Sequence, residues 1–412
     1  MLLRVLFVTT TYPLHRGDAI PGFVADLART LVQNYGVKIK VLAPHHPGAA
    51  KIEMVDGVHI ERFQYTLQPS RQCLAYGHGI PDNLKQNPRA QWQLPGLFAA
   101  MAAAIRRNLD DTDLIHAHWV EPAFIASLAN IVTRKPLVVS VHSLKPKPNF
   151  LNRHTLSIAD RVLFNSDYTM GQAAAKGYVC RGQVIYQGYD DRLFGTRLRS
   201  SDVERLHPVI LRCSEGSGPR GESAVVVTAI GRMIEVKGFH ILAADADAFL
   251  NGRPNVHLVF AGDGPARAEI ESIVARSPNR ARIHFPGALN RHQVAQLLAD
   301  SDIFVNPGVI DRAGRAEGLG ITTIEAMACG LPAVGSRVGG IAETIVDQVT
   351  GLMVPPGDPI ALSTAIARLL DDPQSRVRMG QEGRRIAQQR FNWTALASQV
   401  LCVYDDLIKP FS

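Results

Sequence analysis

AVVVTAIGRMIEVKG, residues 224–238, joins two kinds of sequence that one fold puts side by side. Its first half is apolar and rich in β-branched side chains, as suits a strand covered on both faces. Its second half sets Arg232 and Lys237 in a segment bounded by Gly231 and Gly238. Parallel α/β sheets bind ligands at the carboxyl ends of their strands, and these two cations stand at such an end. Taken alone, the pair also fits the polar side of a surface helix.

Working outward, four more apolar runs follow: VHLVFAGDG (256–264), ARIHFPG (281–287), DIFVNPG (302–308) and PAVGSRVGG (332–340). Five precede it: RVLFVTT (4–10), VKIKVLAP (37–44), LIHAHW (114–119), LVVSVH (137–142) and RVLFNS (161–166). Helical patterns separate them, so the chain reads as βαβ units building parallel sheets. At 412 residues it exceeds one ordinary core. The expected architecture is α/β, with two doubly wound Rossmann-like domains facing across a cleft. The first domain is expected over 1–195 and the second over 224–390. Between them 196–223, rich in Ser, Gly, Arg and Pro, reads as the linker. Residues 391–412 contain an amphipathic helix, with Trp393, Leu396, Val400, Val403 and Leu407 at helical spacing and Asn392 as N-cap. That helix is expected to pack back on the first domain.

A second stretch carries the ligand chemistry. AEGLGITTIEAMACGLP (316–332) puts Glu317 and Glu325 around a glycine-rich helix start. A helix beginning near Gly320 offers free N–H groups and a positive dipole end, which attract phosphate. Carboxylates there would repel phosphate, so the two glutamates should meet another part of the same ligand, and hydroxyl groups suit them. Glu325 has a rival role in a capping box with Thr322. FAGDGPARAEI (260–270) is read as a structural turn with Pro265 opening a helix.

The composition, 46% hydrophobic and 20% charged, is that of a globular chain. No leader-like segment and no apolar run of about 18 residues is visible. The five cysteines lie far apart without a C-x-x-C, which argues against a disulfide framework or a zinc site and fits a reducing cytoplasm. The net charge of +7 is one-sided: residues 1–195 hold 21 Lys and Arg against 14 Asp and Glu, and 196–412 hold 23 of each. A basic first half is either a solvated surface or a docking face for acidic lipid or a lipid-linked phosphate. Scattered basic residues without a recognition motif argue against nucleic acid. His116 and His118 share a strand face but lack an evident third ligand, so no metal site is expected. DSD (300–302) falls before a strand, at the edge opposite the ligand, and is read as surface.

Taken in order, GR–K–G, AGDGP, FPG and the two glutamates with EAMACGLP resemble the donor-binding domain of glycosyltransferase family 4, retaining enzymes of the GT-B fold. The likeness runs on through SRVGGIAETIVDQVTGLMVPPGD (336–358). It is looser in TTYPLHRGDAIPGFVADLA (9–28), HAHWVEPAFIASL (116–128), SVH (140–142), FNSDYTM (164–170) and IYQGYDDRLF (185–194). The resemblance implies a nucleoside diphosphate sugar donor, UDP favoured over GDP, with Arg232 and Lys237 on the diphosphate in place of a metal cofactor. It implies backbone N–H groups of Leu319, Gly320 and Ile321 on the phosphates or sugar. Glu317 would meet the sugar hydroxyls and Glu325 the ribose, while Gly22 would approach the diphosphate and His142 the transferred sugar, with a buried or helix-facing histidine as the rival reading of His142. It implies an acceptor of unspecified kind. The basic first half and the amphipathic stretch PGLFAAMAAAIRRNL (95–109) would suit a lipid-linked one at the inner face of an anionic membrane, while an ordinary core helix is the favoured reading of that stretch. Ser143, Leu144 and Lys145 after His142, and QGYD at 187–190, depart from the family's usual wording. A sugar-nucleotide epimerase of the same fold and a non-catalytic sugar-nucleotide binder are the alternatives. A nicotinamide-dependent oxidoreductase would need a G-x-G-x-x-G after a strand, which is absent.

Overall fold

A computed structural model describes residues 2–15, 18, 22–76, 80–145, 147–195 and 224–408. The expected linker, 196–223, lies outside them. The chain divides into two compact units, Met1–Tyr186 with Trp393–Ser412, and Gln187–Asn392.

The first unit's strands are β1 (Arg4–Val8), β2 (Lys38–Pro44), β3 (Ile52–Val55), β4 (Val58–Phe63), β5 (Leu114–His118), β6 (Leu137–Val141), β7 (Arg161–Phe164) and β8 (Gly182–Val184). They form one sheet in the order β3-β4-β2-β1-β5-β6-β7-β8. Every neighbouring pair is parallel except β3 with β4. That pair is a hairpin turned by Asp56 and Gly57, both at positive φ (51° and 83°). The turn is the Asp-Gly signal of a tight hairpin.

Both faces of this sheet are covered. On one, the helix Phe23–Tyr35 buries Val24, Leu27, Ala28 and Leu31 at helical spacing and stops at Gly36 in the left-handed conformation. The helix Trp393–Ile408 shares that core through Trp393, Leu396, Val400, Val403 and Tyr404. On the other, the helices Leu94–Asn108, Val120–Ala129 and Phe150–Ile158 pack beside one another.

The second unit's strands are β9 (Val225–Ile230), β10 (Val256–Ala261), β11 (Ile283–Gly287), β12 (Ile303–Asn306), β13 (Ala333–Ser336) and β14 (Gly351–Val354), in the order β11-β10-β9-β12-β13-β14. All its pairings are parallel, and β10 and β12 are buried along their whole length. Residues 187–195, assigned from sequence to the first domain, pack here instead. Phe194 is buried, its carbonyl accepts from Cys329, Gly195 accepts from Arg384, and Tyr189 pairs with the Phe391–Asn392 segment. QGYD was therefore a segment of the second unit's surround, where Asp190 caps the short helix Asp191–Phe194.

Candidate active site

In the second sheet the strand order reverses between β9 and β12, the point where doubly wound sheets form a ligand crevice at their strands' carboxyl ends. The loops that leave from this point are 231–238, after β9, and 307–320, after β12. They carry the cation pair and Glu317. Asp302 lies at the opposite edge, where its carboxylate accepts from the Val226 amide at 2.8 Å. DSD is thus more than surface, because one of its acids ties β12 to β9.

The β9 loop is seated by glycines. Gly231 has φ 155°, and a Cβ there would stand 3.4 to 3.6 Å from the end of the Lys237 side chain. Gly238 has φ 67°, and a Cβ would stand 1.8 Å from the Pro307 carbonyl oxygen. A side chain at 238 would therefore force the two switch-point loops apart. The AGDGP turn holds the loop from the other side: Met233 donates to the Asp263 carbonyl at 2.8 Å and accepts from Ala266 at 2.9 Å. Arg232, half-buried, stands at the head of this loop.

These contacts fold Lys237 back toward β12. Its ammonium pairs with Glu317 Oε1, with both side chains largely buried. The other carboxylate oxygen, Oε2, accepts from Asn306 Nδ2 at 3.3 Å, and the same amide donates to Thr323 Oγ1 at 2.9 Å. Asn306 is the last residue of β12 and is buried. Sequence reasoning assigned Lys237 and Glu317 to different parts of a ligand. In the structure they are each other's nearest partners.

Two further devices hold Glu317. Gly340 donates to the Glu317 carbonyl at 2.9 Å, and a Cβ on Gly340 would come within 2.1 Å of the Gly318 carbonyl oxygen. Upstream, the buried Asp311 accepts from the Ala313 and Arg315 amides and pairs with the Arg315 guanidinium at 2.6 Å. Burial pushes the Asp311 carboxyl up, but those hydrogen bonds and the Arg315 charge outweigh it and hold it below the usual carboxylate range.

The helix after this loop spans Ile321–Ala328, with Gly320 as N-cap at φ 87° and no side-chain cap. Leu319, Gly320 and Ile321 therefore form the turn into its first residues, beside Asn306. Thr322 lies inside the helix, which removes the Thr322–Glu325 capping box. Glu325 follows in the second turn, half-buried.

The first unit offers a different chemistry. Its sheet reverses between β1 and β5, and the residues at that edge are histidines and aromatic rings. His116 and His118 share one face of β5 and stack at 4.4 Å, with Phe7 packed against both rings. His118 Nδ1 lies 3.3 Å from His142 Nε2, the two rings within 4° of parallel. His142 follows β6 and packs against Phe23 at 4.6 Å and Trp119 at 4.8 Å. Burial keeps all three histidines neutral, lowering His116 and His142 to about 3 and His118 well below its ordinary value. Trp119 caps the helix Val120–Ala129 at φ 73° and ψ 159°, a conformation that non-glycine residues hold only under constraint. Gly22 caps the helix Phe23–Tyr35 at an ordinary φ of −80°, so the backbone there makes no demand for glycine.

The structure thus brings together Lys237, Glu317 and the 319–321 turn, with Arg232 in the same β9 loop. His142 and Gly22 belong to the other unit. Asn306, Thr323 and Gly340 were not singled out from sequence. A strand-terminal asparagine reads as the end of VNPG, and the second glycine of VGG reads as a turn until its neighbour is known. Among the described residues, no group of three or more His, Cys, Asp or Glu is placed to hold a metal ion.

Comparison with known proteins identifies the class. Residues 216–386 match the model for glycosyl transferases group 1, and residues 22–193 match that for glycosyltransferase family 4. The alpha-maltose-1-phosphate synthase of Mycobacterium tuberculosis is 30% identical over 71% of this chain and 78% of its own. The GDP-mannose-dependent alpha-(1-6)-phosphatidylinositol monomannoside mannosyltransferase of Mycolicibacterium smegmatis is 26% identical over 94% and 95%. Among solved structures, the sucrose-phosphate synthase of Thermosynechococcus elongatus superposes with a TM-score of 0.74 at 21% identity, over 98% of this chain and 99% of that one. An Anabaena protein crystallised with UDP-glucose gives 0.69 at 21%, over 98% and 100%. The fold is that of the GT-B glycosyltransferases. Within that class the chain belongs to glycosyltransferase family 4.

Proposed function

We propose that the protein transfers a sugar from a nucleoside diphosphate sugar, with retention at the anomeric carbon, to a hydroxyl-bearing acceptor in polysaccharide or glycolipid synthesis. The observation that carries this reading is the Lys237–Glu317–Asn306 group at the β9/β12 switch point, beside the start of the helix Ile321–Ala328. A diphosphate entering there competes with Glu317 for the Lys237 ammonium. Arg232 and Lys237 then take the charge that grows on the leaving oxygen as the anomeric bond lengthens. Glu317, relieved of its cation but still held by Asn306, accepts from donor-sugar hydroxyls, and Glu325 accepts from the ribose. The amides of 319–321 face the phosphates or sugar. The anomeric carbon–oxygen bond to the diphosphate breaks, the acceptor oxygen bonds to that carbon, and its proton passes to the departing phosphate oxygen. Positioning and charge stabilisation drive this step, without a covalent enzyme intermediate.

One arginine and one lysine, Arg232 and Lys237, replace a metal cofactor on the diphosphate in this scheme. One relative is named for GDP-mannose and one solved structure of the same fold was crystallised with UDP-glucose, and a UDP donor is the favoured reading. A screen of UDP- and GDP-sugars for nucleoside diphosphate release, with and without EDTA, tests the proposal. Acceptor-dependent release unaffected by EDTA supports it. Release abolished by EDTA and restored by a divalent ion contradicts the metal-free part. Formation of an altered free sugar without acceptor favours an epimerase.

The acceptor is proposed to be lipid-linked, met at the cytoplasmic face of an anionic membrane. The helix Leu94–Asn108 buries Leu97, Met101, Ala104 and Ile105 and turns Phe98, Ala99, Ala103, Arg106 and Arg107 outward. Apolar and basic groups on one exposed face suit peripheral binding. No described helix is long and apolar enough to cross a membrane. Flotation with anionic but not neutral liposomes is the expected result, and equal behaviour with both removes the idea.

A further inference from the structure

The helix Trp393–Ile408 does more than cover a hydrophobic face. Tyr404, fully buried, places its hydroxyl 2.6 Å from His116 Nδ1. The other nitrogen of that ring, Nε2, lies 2.7 Å from Ser140 Oγ. Both edges of the fully buried His116 are thus held by hydroxyl groups. A neutral imidazole has one donor and one acceptor nitrogen, and each hydroxyl can supply the complement. With both positions filled the ring cannot flip or rotate without breaking a buried hydrogen bond.

His116 passes this order on. His118 stacks on it, Phe7 wedges against both, and His118 Nδ1 bonds His142 Nε2. In that last pair one nitrogen must donate and the other accept, so the two rings are tied together by a directional contact. His118 Nε2 is buried without a hydrogen-bond partner, so nothing on its far side sets the ring instead. The line runs from the last helix of the chain, along the sheet face it covers, to a histidine after β6.

We infer that Tyr404 is a positioning residue. It fixes His116, and through the stacked ring of His118 it fixes the orientation of His142. The inference rests on the proposed placing of His142 by the transferred sugar. Ser140 acts on the same ring from the neighbouring strand. The chain's final helix, far from the sugar-nucleotide residues in sequence, thereby becomes part of the catalytic apparatus rather than only of the core.

The test is Tyr404→Phe, which keeps the ring and its packing and removes the hydroxyl. The expected result is a kcat about tenfold lower, equivalent to about 1.4 kcal/mol, with KM for the donor unchanged. Long-range proton–nitrogen spectra of the ligand-free protein should show one set of His142 ring resonances in the native chain and broadened or doubled ones in the variant. Ser140→Ala, a smaller perturbation, should move the same resonances in case Tyr404→Phe does not fold. An unchanged His142 spectrum in both variants overturns the inference. So does a loss of kcat that merely follows a lower melting temperature. If no sugar nucleotide supports turnover, the transferase reading fails by itself, and the spectra still decide whether Tyr404 orders the histidines.

Discussion

The two strand-order switch points of this molecule share a topology and differ in electrostatics. In the second unit the crevice between β9 and β12 is charged, with Lys237 and Glu317 held in a largely buried pair and glycines drawing the backbone close. In the first unit the edge of β1, β5 and β6 is neutral, with three histidines stripped of charge by burial and packed among Phe7, Phe23 and Trp119. A crevice with a cation–carboxylate pair that a diphosphate can part is suited to an anionic ligand that arrives and leaves. A neutral, tightly packed wall is suited to directing hydrogen bonds to uncharged hydroxyls. The same doubly wound scaffold supports both, because function enters through the loops and strand ends.

The sharpest way to break this comparison is at the charged edge. Lys237→Ala should lower kcat/KM by roughly 10²–10³, the loss typical of removing one transition-state charge contact. Glu317→Gln, which keeps the shape and the Asn306 neighbour, should lower kcat more than it weakens binding of the nucleoside diphosphate. If Glu317→Gln abolishes nucleotide binding while Lys237→Ala leaves it intact, the assigned roles are reversed.

Next in size is Gly340→Ala. Its φ of −71° is ordinary, so the penalty is one of space alone. The new methyl would meet Gly318 oxygen at 2.1 Å and the Leu319 Cα at 2.5 Å, both backbone atoms. Overpacking of this kind costs about 1–3 kcal/mol, and here it also displaces Glu317. A lower melting temperature together with a lower kcat is expected, and normal activity would show that the Glu317 backbone tolerates the shift.

The smallest effect sharpens the neutral edge. His116 and His142 titrate near 3 in the folded chain, far below the ordinary histidine value of about 6.5. The unfolded chain takes up protons first as pH falls, so stability is complete above about 6.5 and declines progressively toward 3. The melting temperature should therefore fall between pH 6.5 and 5, and less so in His116→Gln. His257 and, near 4, His284 add to the same trend from the second unit. A flat profile across that range would mean that the first unit's histidines are not held neutral.

Much of the fold could be read from the chain. All ten apolar runs became strands, since strands buried on both faces leave a continuous hydrophobic signature. Those missed were β3, β4, β8 and β14. In β3 and β4 the apolar residues alternate with charges, as befits an edge hairpin, and the Asp56–Gly57 turn was the available signal. β8 is three residues long, too short for any pattern. At the site, residue types near strand ends located Lys237 and Glu317. Their pairing could not be read, because it depends on how closely Gly238 lets one loop approach the other, and sequence spacing does not encode that distance. Tyr404 was hidden for a related reason: on an amphipathic helix it counts as one more core residue until its hydroxyl is seen against His116.

The most direct test of the central claim is thermal unfolding of the native chain and Lys237→Ala with UDP, GDP, ADP and NAD at matched millimolar concentration. A ligand present at about 100 times its dissociation constant stabilises by about 2.7 kcal/mol, a readily measured shift. The account predicts a rise with UDP or GDP in the native chain that is largely lost in Lys237→Ala. A rise with NAD alone, or one with UDP or GDP that survives the substitution intact, would contradict it.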